Sequence, residues 1–135
     1  MRVMPDSNVF YSALLFPDSK PAEALDCIVH EHKMVLCHYL IDEVSRVVAA
    51  KHPKALAKTQ IMFRVMQYEL APESHQSPVT ISDPKDQPIL NAAINANVDI
   101  IVSGDKHFAG LDIDRPKVLS PSEFLDLTDK RSRMK

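Results

Sequence analysis

The stretch Asp99-Ile100-Ile101-Val102-Ser103-Gly104-Asp105 decides how this chain is read. Its apolar run shows no polar alternation. That suits a strand buried on both faces, as the strands of a parallel sheet are. The run closes on a small polar residue, a glycine and an acid, so an aspartate stands at the strand's carboxyl end. Arg2-Val3-Met4-Pro5-Asp6 repeats the arrangement. Met34-Val35-Leu36-Cys37 is a third wholly apolar run, and the helix expected after it carries Glu43 in its first turns.

Between these runs the spacing changes to a helical period. A short helix is expected over 8–15, capped from the Asp6–Asn8 region. A helix over 21–33 has proline early and a stripe of Ala24, Leu25, Ile28 and Val29. Another over 39–50 turns Leu40, Val44, Val47 and Val48 inward. A long one over 54–70 carries Leu56, Ile61, Met62, Val65, Met66 and Leu70. Val79-Thr80-Ile81 reads as a strand, 89–97 as a helix, Lys117-Val118-Leu119 as an edge strand and 121–127 as a last helical turn or two. The alternation implies an α/β fold, a parallel sheet with helices on both faces. The expected domain is residues 1–128, followed by a charged tail over 129–135.

With 135 residues, 45% hydrophobic and 25% charged, the chain is sized and composed for one globular domain. Only 2 Gly against 10 Pro argue against an all-β chain rich in tight turns. A net charge of −2 offers no general attraction to a polyanion, so nucleic acid would need a local basic face and bound metal. Cys27 and Cys37, the only cysteines, exclude a disulfide framework and are expected to pack as small hydrophobes. No run approaches the roughly 18 apolar residues of a membrane span, and the expected location is the cytoplasm.

In an open parallel sheet, ligands bind beyond the carboxyl ends of the strands. Asp6, Glu43, Asp86 and Asp105 would all arrive there. Carboxylates gathered at one point repel one another unless a hard divalent cation such as Mg²⁺ or Mn²⁺ holds them. Each also has a plainer use: Asp6 as a helix cap, Glu43 as a first-turn acid, Asp105 as a loop polar group. Asp83 and Asp86 bracket Pro84, so one is expected to cap the following helix while the other, Asp86 by preference, is free for chemistry. Asn8 and Ser103 are supporting polar groups. Gly104 allows an unusual turn or a close approach.

These residues resemble a known family. Met1-Arg2-Val3-Met4-Pro5-Asp6-Ser7-Asn8-Val9 is similar to the opening strand and D-[ST]-N motif of PIN-domain ribonucleases, of the VapC-like toxin type found in bacterial and archaeal toxin–antitoxin pairs. Asp83-Pro84-Lys85-Asp86-Gln87-Pro88 and Val102-Ser103-Gly104-Asp105-Lys106-His107-Phe108 resemble its C-terminal motifs, and Ser120-Pro121-Ser122-Glu123-Phe124-Leu125 its usual ending. The resemblance implies a PIN-like three-layer α/β/α sandwich on a parallel sheet of about five strands. It also implies an Mg²⁺ or Mn²⁺ site, with Asp6, Glu43, Asp86 and Asp105 on the family's acidic positions and Asn8 and Ser103 on its supporting ones. Pro5 departs from the family's usual aliphatic residue and removes a ladder N–H.

The expected reaction is hydrolysis of an RNA phosphodiester, with metal-assisted activation of water and stabilisation of charge on the phosphate. Arg46, Lys85 and Lys106 are candidate RNA contacts, with Lys51, Lys54, Lys58 and the tail cations as further ones. Tyr11 is a candidate base-stacking residue, while Phe16 is expected in the core. The expected partners are the RNA substrate, a small antitoxin protein and a second copy of the chain. The rival readings are a non-catalytic PIN-like scaffold and a PIN nuclease of RNA processing or repair. A phosphatase using D-x-D fails because Asn8 stands at the third position, and a phosphoacceptor receiver lacks its lysine.

Overall fold

A computed structural model describes residues 1–72, 79–81, 83–111 and 113–133, with the side chains of 106, 109 and 130–133 excepted. Five strands, β1 (Arg2–Pro5), β2 (Lys33–Leu36), β3 (Glu69–Leu70), β4 (Ile100–Val102) and β5 (Lys117–Leu119), pair in the order β3-β2-β1-β4-β5. Every pairing is parallel. Val3 to Pro5, Met34 to Leu36 and Ile100 to Val102 are buried, as strands covered on both faces must be.

The helices complete the three-layer α/β/α sandwich. They are α1 (Ser7–Leu15), α2 (Lys20–Glu31), α3 (His38–Lys51), α4 (Leu56–Val65), α5 (Gln87–Asn95), α6 (Lys106–Ala109) and α7 (Pro121–Arg133), with a 3₁₀ turn over Pro53–Ala55. Helix α1 packs on α2 and α3, α2 on α7, and α3 on α4 and α5. Phe10, Phe108 and Phe124 are the bulkiest fully buried side chains of the core. Pro5 ends a central strand without breaking it. The N–H of Asp6 bonds Val102 O at 3.0 Å on the β4 side. By strand alternation the missing N–H of Pro5 falls on the β2 side, where pairing is recorded only at Arg2↔Lys33 and Val3↔Met34.

Several sequence expectations are corrected. The helix expected over 54–70 stops at Val65, and Glu69–Leu70 becomes the edge strand β3. Two contacts hold it there: the N–H of Ala71 bonds Leu36 O at 2.7 Å, and Arg2 pairs with Glu69. The inward face of α4 is Thr59 and Phe63, the latter against Phe10 with ring centroids 5.4 Å apart. Ile61 and Val65 point outward at 56% and 74% exposure. Phe16 ends α1 and is exposed. Cys37 is buried, but Cys27 is only half-buried. Helix α7 extends well past 127.

Val79-Thr80-Ile81 is not a strand. Its backbone bonds run instead to one side chain: Gln87 Oε1 accepts from Ile81 N, and Gln87 Nε2 donates to Val79 O, both at 2.9 Å. The same Nε2 donates to Asn91 Oδ1 at 2.8 Å. Gln87→Ala is therefore expected to cost about 1–2 kcal/mol of stability, read by urea denaturation, because it strands an amide and a carbonyl.

Candidate active site

Asp6 follows β1 and is 2% exposed. Its two carboxylate oxygens do different work. Oδ1 caps α1, accepting from the backbone N–H of Asn8 at 2.7 Å and of Val9 at 3.3 Å. Oδ2 accepts from the hydroxyl of Ser103, which is equally buried and ends β4 on the neighbouring strand. Ser103 Oγ in turn accepts from Asp105 N at 2.9 Å, and Asp105 Oδ1 accepts from His107 N at 2.7 Å. The adjacent ends of β1 and β4 are thus laced together through the two acids. Burial pushes the Asp6 carboxyl above its ordinary value of 3.8. The bonds from Ser103, Asn8 and Val9 oppose that rise, and the charge of Asp105 adds to it.

Asp83 and Asp86 divide their labour. Asp83 Oδ1 accepts from Lys85 N at 3.0 Å and so holds its own turn. Asp86 stands at the N-cap of α5 but makes no capping bond with its side chain. Its Oδ2 is buried and has no hydrogen-bond partner. Burial, then the charges of Asp105 and Asp83, a proton-sharing contact with Asp105 and the charge of Asp6 push its carboxyl up to about 7. Asp6, Asp86 and Asp105 therefore lie within electrostatic reach of one another, with Asp83 beside them.

Glu43 joins through Ser7, whose part no sequence pattern announces. Ser7, next to Asp6, donates its hydroxyl to Glu43 Oε1. Tyr39, one turn before Glu43 on α3, was missed altogether. Burial raises its phenol, and the charges of Glu43, Asp86 and Asp83 raise it further while Arg46 lowers it. The spacing of Tyr39 and Glu43, i and i+4 on a helix, was the available signal. Asn8 is exposed, and its recorded tie to Asp6 is through its backbone. Gly104 has no positive φ, and a Cβ there would meet nothing within 4 Å, so its freedom is not used.

Among the described residues, three ligand-type side chains with donor atoms all within 4.8 Å of one another occur only at Cys27, Glu31 and His32. No three of the acids at the strand ends meet that spacing, although Asp86 and Asp105 are in contact, so side-chain rotation must bring a third acid onto one ion. Of the candidate cations, Arg46 and Lys85 are exposed, and the side chain of Lys106 lies outside the described residues. Lys51 sits 6.0 Å from the centre of the Tyr11 ring, which also neighbours His52.

A family model described as PIN domain matches residues 2–107. No curated protein matches the sequence. Among solved structures, the fold is similar to a chain of VapBC2 from Rickettsia felis, in a crystal structure bound to a DNA fragment from their promoter. That match has a TM-score of 0.67 and 15% identity, and it covers 89% of this chain and 98% of that one. The fold is also similar to the T. brucei RRP44 PIN domain, at a TM-score of 0.54 and 12% identity over 97% of this chain and 82% of that one.

Proposed function

This chain belongs to the PIN-domain family, and from that premise we propose that it is an Mg²⁺- or Mn²⁺-dependent endoribonuclease, the cytoplasmic toxin of a toxin–antitoxin pair. One observation carries the reading. Asp86 presents a buried carboxylate oxygen with no partner, facing the charges of Asp105 and Asp6, and its carboxyl is pushed up to about 7. A group so placed is stabilised either by a proton or by a cation, and an all-oxygen donor set fits a hard divalent cation.

Asp6, Asp86, Asp105 and Glu43 would hold such an ion. When bound, it supplies charge stabilisation for the phosphate and acidifies water. The chain's own groups do the rest. Ser103 fixes the Asp6 oxygen that faces the site, and the Asp105 amide fixes Ser103. Ser7 sets the rotamer of Glu43, whose free oxygen is the group suited to orient an attacking water. Arg46 and Lys85 flank the acids and would carry the RNA backbone.

The exposed apolar side chains of α4 and β3, Ile61, Val65 and Leu70, support a protein partner, either a second copy or an antitoxin segment. No helix among the described residues is long and apolar enough to cross a membrane. A PIN nuclease of RNA processing is the second reading. An adjoining reading frame for a small protein with a DNA-binding N-terminus separates it from the first.

The test is cleavage of a mixed RNA pool with Mn²⁺ or Mg²⁺, comparing wild type, Asp6→Asn and Asp105→Asn. Cleavage by wild type that chelation stops and both variants lose is the expected result, and equal activity in all three removes the assignment. Ser7→Ala is expected to lower kcat on the order of tenfold with little change in KM, because it releases Glu43 without removing a carboxylate. Steady-state cleavage of a fluorogenic oligonucleotide measures it.

A further inference from the structure

The α2–α7 side of the molecule carries a second group of metal-ligating side chains, unconnected with the acids above. Cys27 and Glu31 lie one turn apart on α2, and Cys27 Sγ stands 3.0 Å from Glu31 Oε2. His32 closes the helix in an extended conformation, its N–H bonding Ile28 O at 3.1 Å. One donor atom from each of the three lies within 4.8 Å of the others. Helix α7 walls the group: the His32 ring meets Phe124 edge-on at 5.5 Å, and Thr128 Oγ1 is 3.8 Å from Cys27 Sγ.

We propose that Cys27, Glu31 and His32 form a zinc site, with its fourth position open to water. Thiolate, imidazole and carboxylate are all zinc donors, and at zinc's bond lengths a tetrahedron sets them roughly 3.3–3.6 Å apart. From separations of at most 4.8 Å the three donors must close by up to about 1 Å, while the Cys27–Glu31 pair, now 3.0 Å apart, opens by about 0.5 Å, a movement that the exposed Glu31 can supply. The surroundings favour a cation. The groove beside Cys27 is lined by Glu23, Asp126 and Asp129 with Lys20 among them, and the Met1 ammonium, 3.4 Å from His32 Nδ1, is the cation a metal would meet at the imidazole. On binding, the Cys27 S–H bond breaks, an S–Zn bond forms and the proton leaves to solvent; nothing is oxidised or reduced.

The position separates this site from the acids. His32 precedes β2, whereas Asp6 follows the parallel neighbour β1, so the two lie at opposite ends of strands that span roughly 13 Å. Zinc here would tie the last turn of α2 to the entry of β2. It does not depend on the nuclease reading.

Cobalt(II) alone, added to the reduced full-length chain, tests it. A thiolate-to-cobalt charge-transfer band is expected in wild type and in the Asp6→Asn, Asp105→Asn double variant, and added zinc should bleach it. Cys27→Ser should lose the band, and Glu31→Gln, at an exposed position, should weaken cobalt binding on the order of tenfold or more. Absence of the band in wild type, its survival in Cys27→Ser, or unchanged affinity in Glu31→Gln would each overturn the proposal.

Discussion

Asp6→Asn is expected to lower RNA cleavage by at least roughly a hundredfold while leaving the fold in place. Loss of a residue that merely orients a metal ligand already costs about 10–100-fold, and a ligand should cost no less. The fold is spared because asparagine keeps the oxygen that caps α1. Its amide nitrogen then faces Ser103, whose hydroxyl can turn from donor to acceptor. The variant also removes a charge that burial disfavours, so its thermal stability in chelator should equal or exceed that of wild type. Asp6→Ala separates the two roles. It should be equally inactive and also lose about 1 kcal/mol for the cap, with a further ~1–3 kcal/mol for the stranded hydroxyl. Initial rates on one RNA substrate, paired with melting curves, read both effects. An Asp6→Asn protein that cleaves like wild type removes Asp6 from the chemistry.

In chelator, the melting temperature is expected to rise as pH is lowered from about 8 to about 5, the reverse of ordinary acid denaturation. The Asp86 carboxyl has an ordinary value of 3.8 and is pushed up to about 7 by burial, by Asp105, Asp83 and Asp6. Between those values the folded chain holds a proton that the unfolded chain has released, so stability falls as pH rises through the window. The upward shift of Asp6 acts in the same sense. The opposing groups are Glu69, held low by Arg2, and Glu123, held low by the Ser120 amide and hydroxyl. Their contribution is lost only as pH falls below the ordinary 4.5. Excess Mn²⁺ should reverse the slope, because the ion competes with the proton for the same oxygens. At a hundredfold excess over Kd it adds about 2.7 kcal/mol. Asp86→Asn should flatten the chelator profile. Parallel wild-type and Asp86→Asn lines across that pH range would show that Asp86 is not the group responsible.

The strand-end acids were legible because a parallel sheet leaves little choice. Wholly apolar runs must be covered on both faces, and whatever follows each run emerges at one edge. Asp6 and Asp105 accordingly come together, whereas Asp86 reaches them from the start of α5, and the expected side-chain cap of that helix by Asp83 or Asp86 is not seen: Asp83 holds its own turn and Asp86 makes no capping bond. What could not be read were features settled by tertiary contact. Val79-Thr80-Ile81 has strand-like side chains, yet Gln87 takes its backbone bonds, and propensity yields to that. In α4 the apolar residues surround the helix, so periodicity alone does not choose Phe63 over Ile61 and Val65 as the inward face. The link from Ser7 to Glu43 joins residues 36 apart in sequence, and no local pattern announces it.

The bond between Ser103 and Asp6 joins residues 97 apart in sequence, and β1 takes its partner β4 from the same distance. On the ribosome, the first strand can pair with β2 early but must wait for most of the chain to emerge before the acids gather beside β4. A nascent or truncated product ending before Val102 carries Asp6 capping α1 but lacks β4 and the Ser103 hydroxyl that holds its other oxygen. On the proposed function, a chain wired in this way stays harmless to the messenger and machinery producing it until translation is nearly finished.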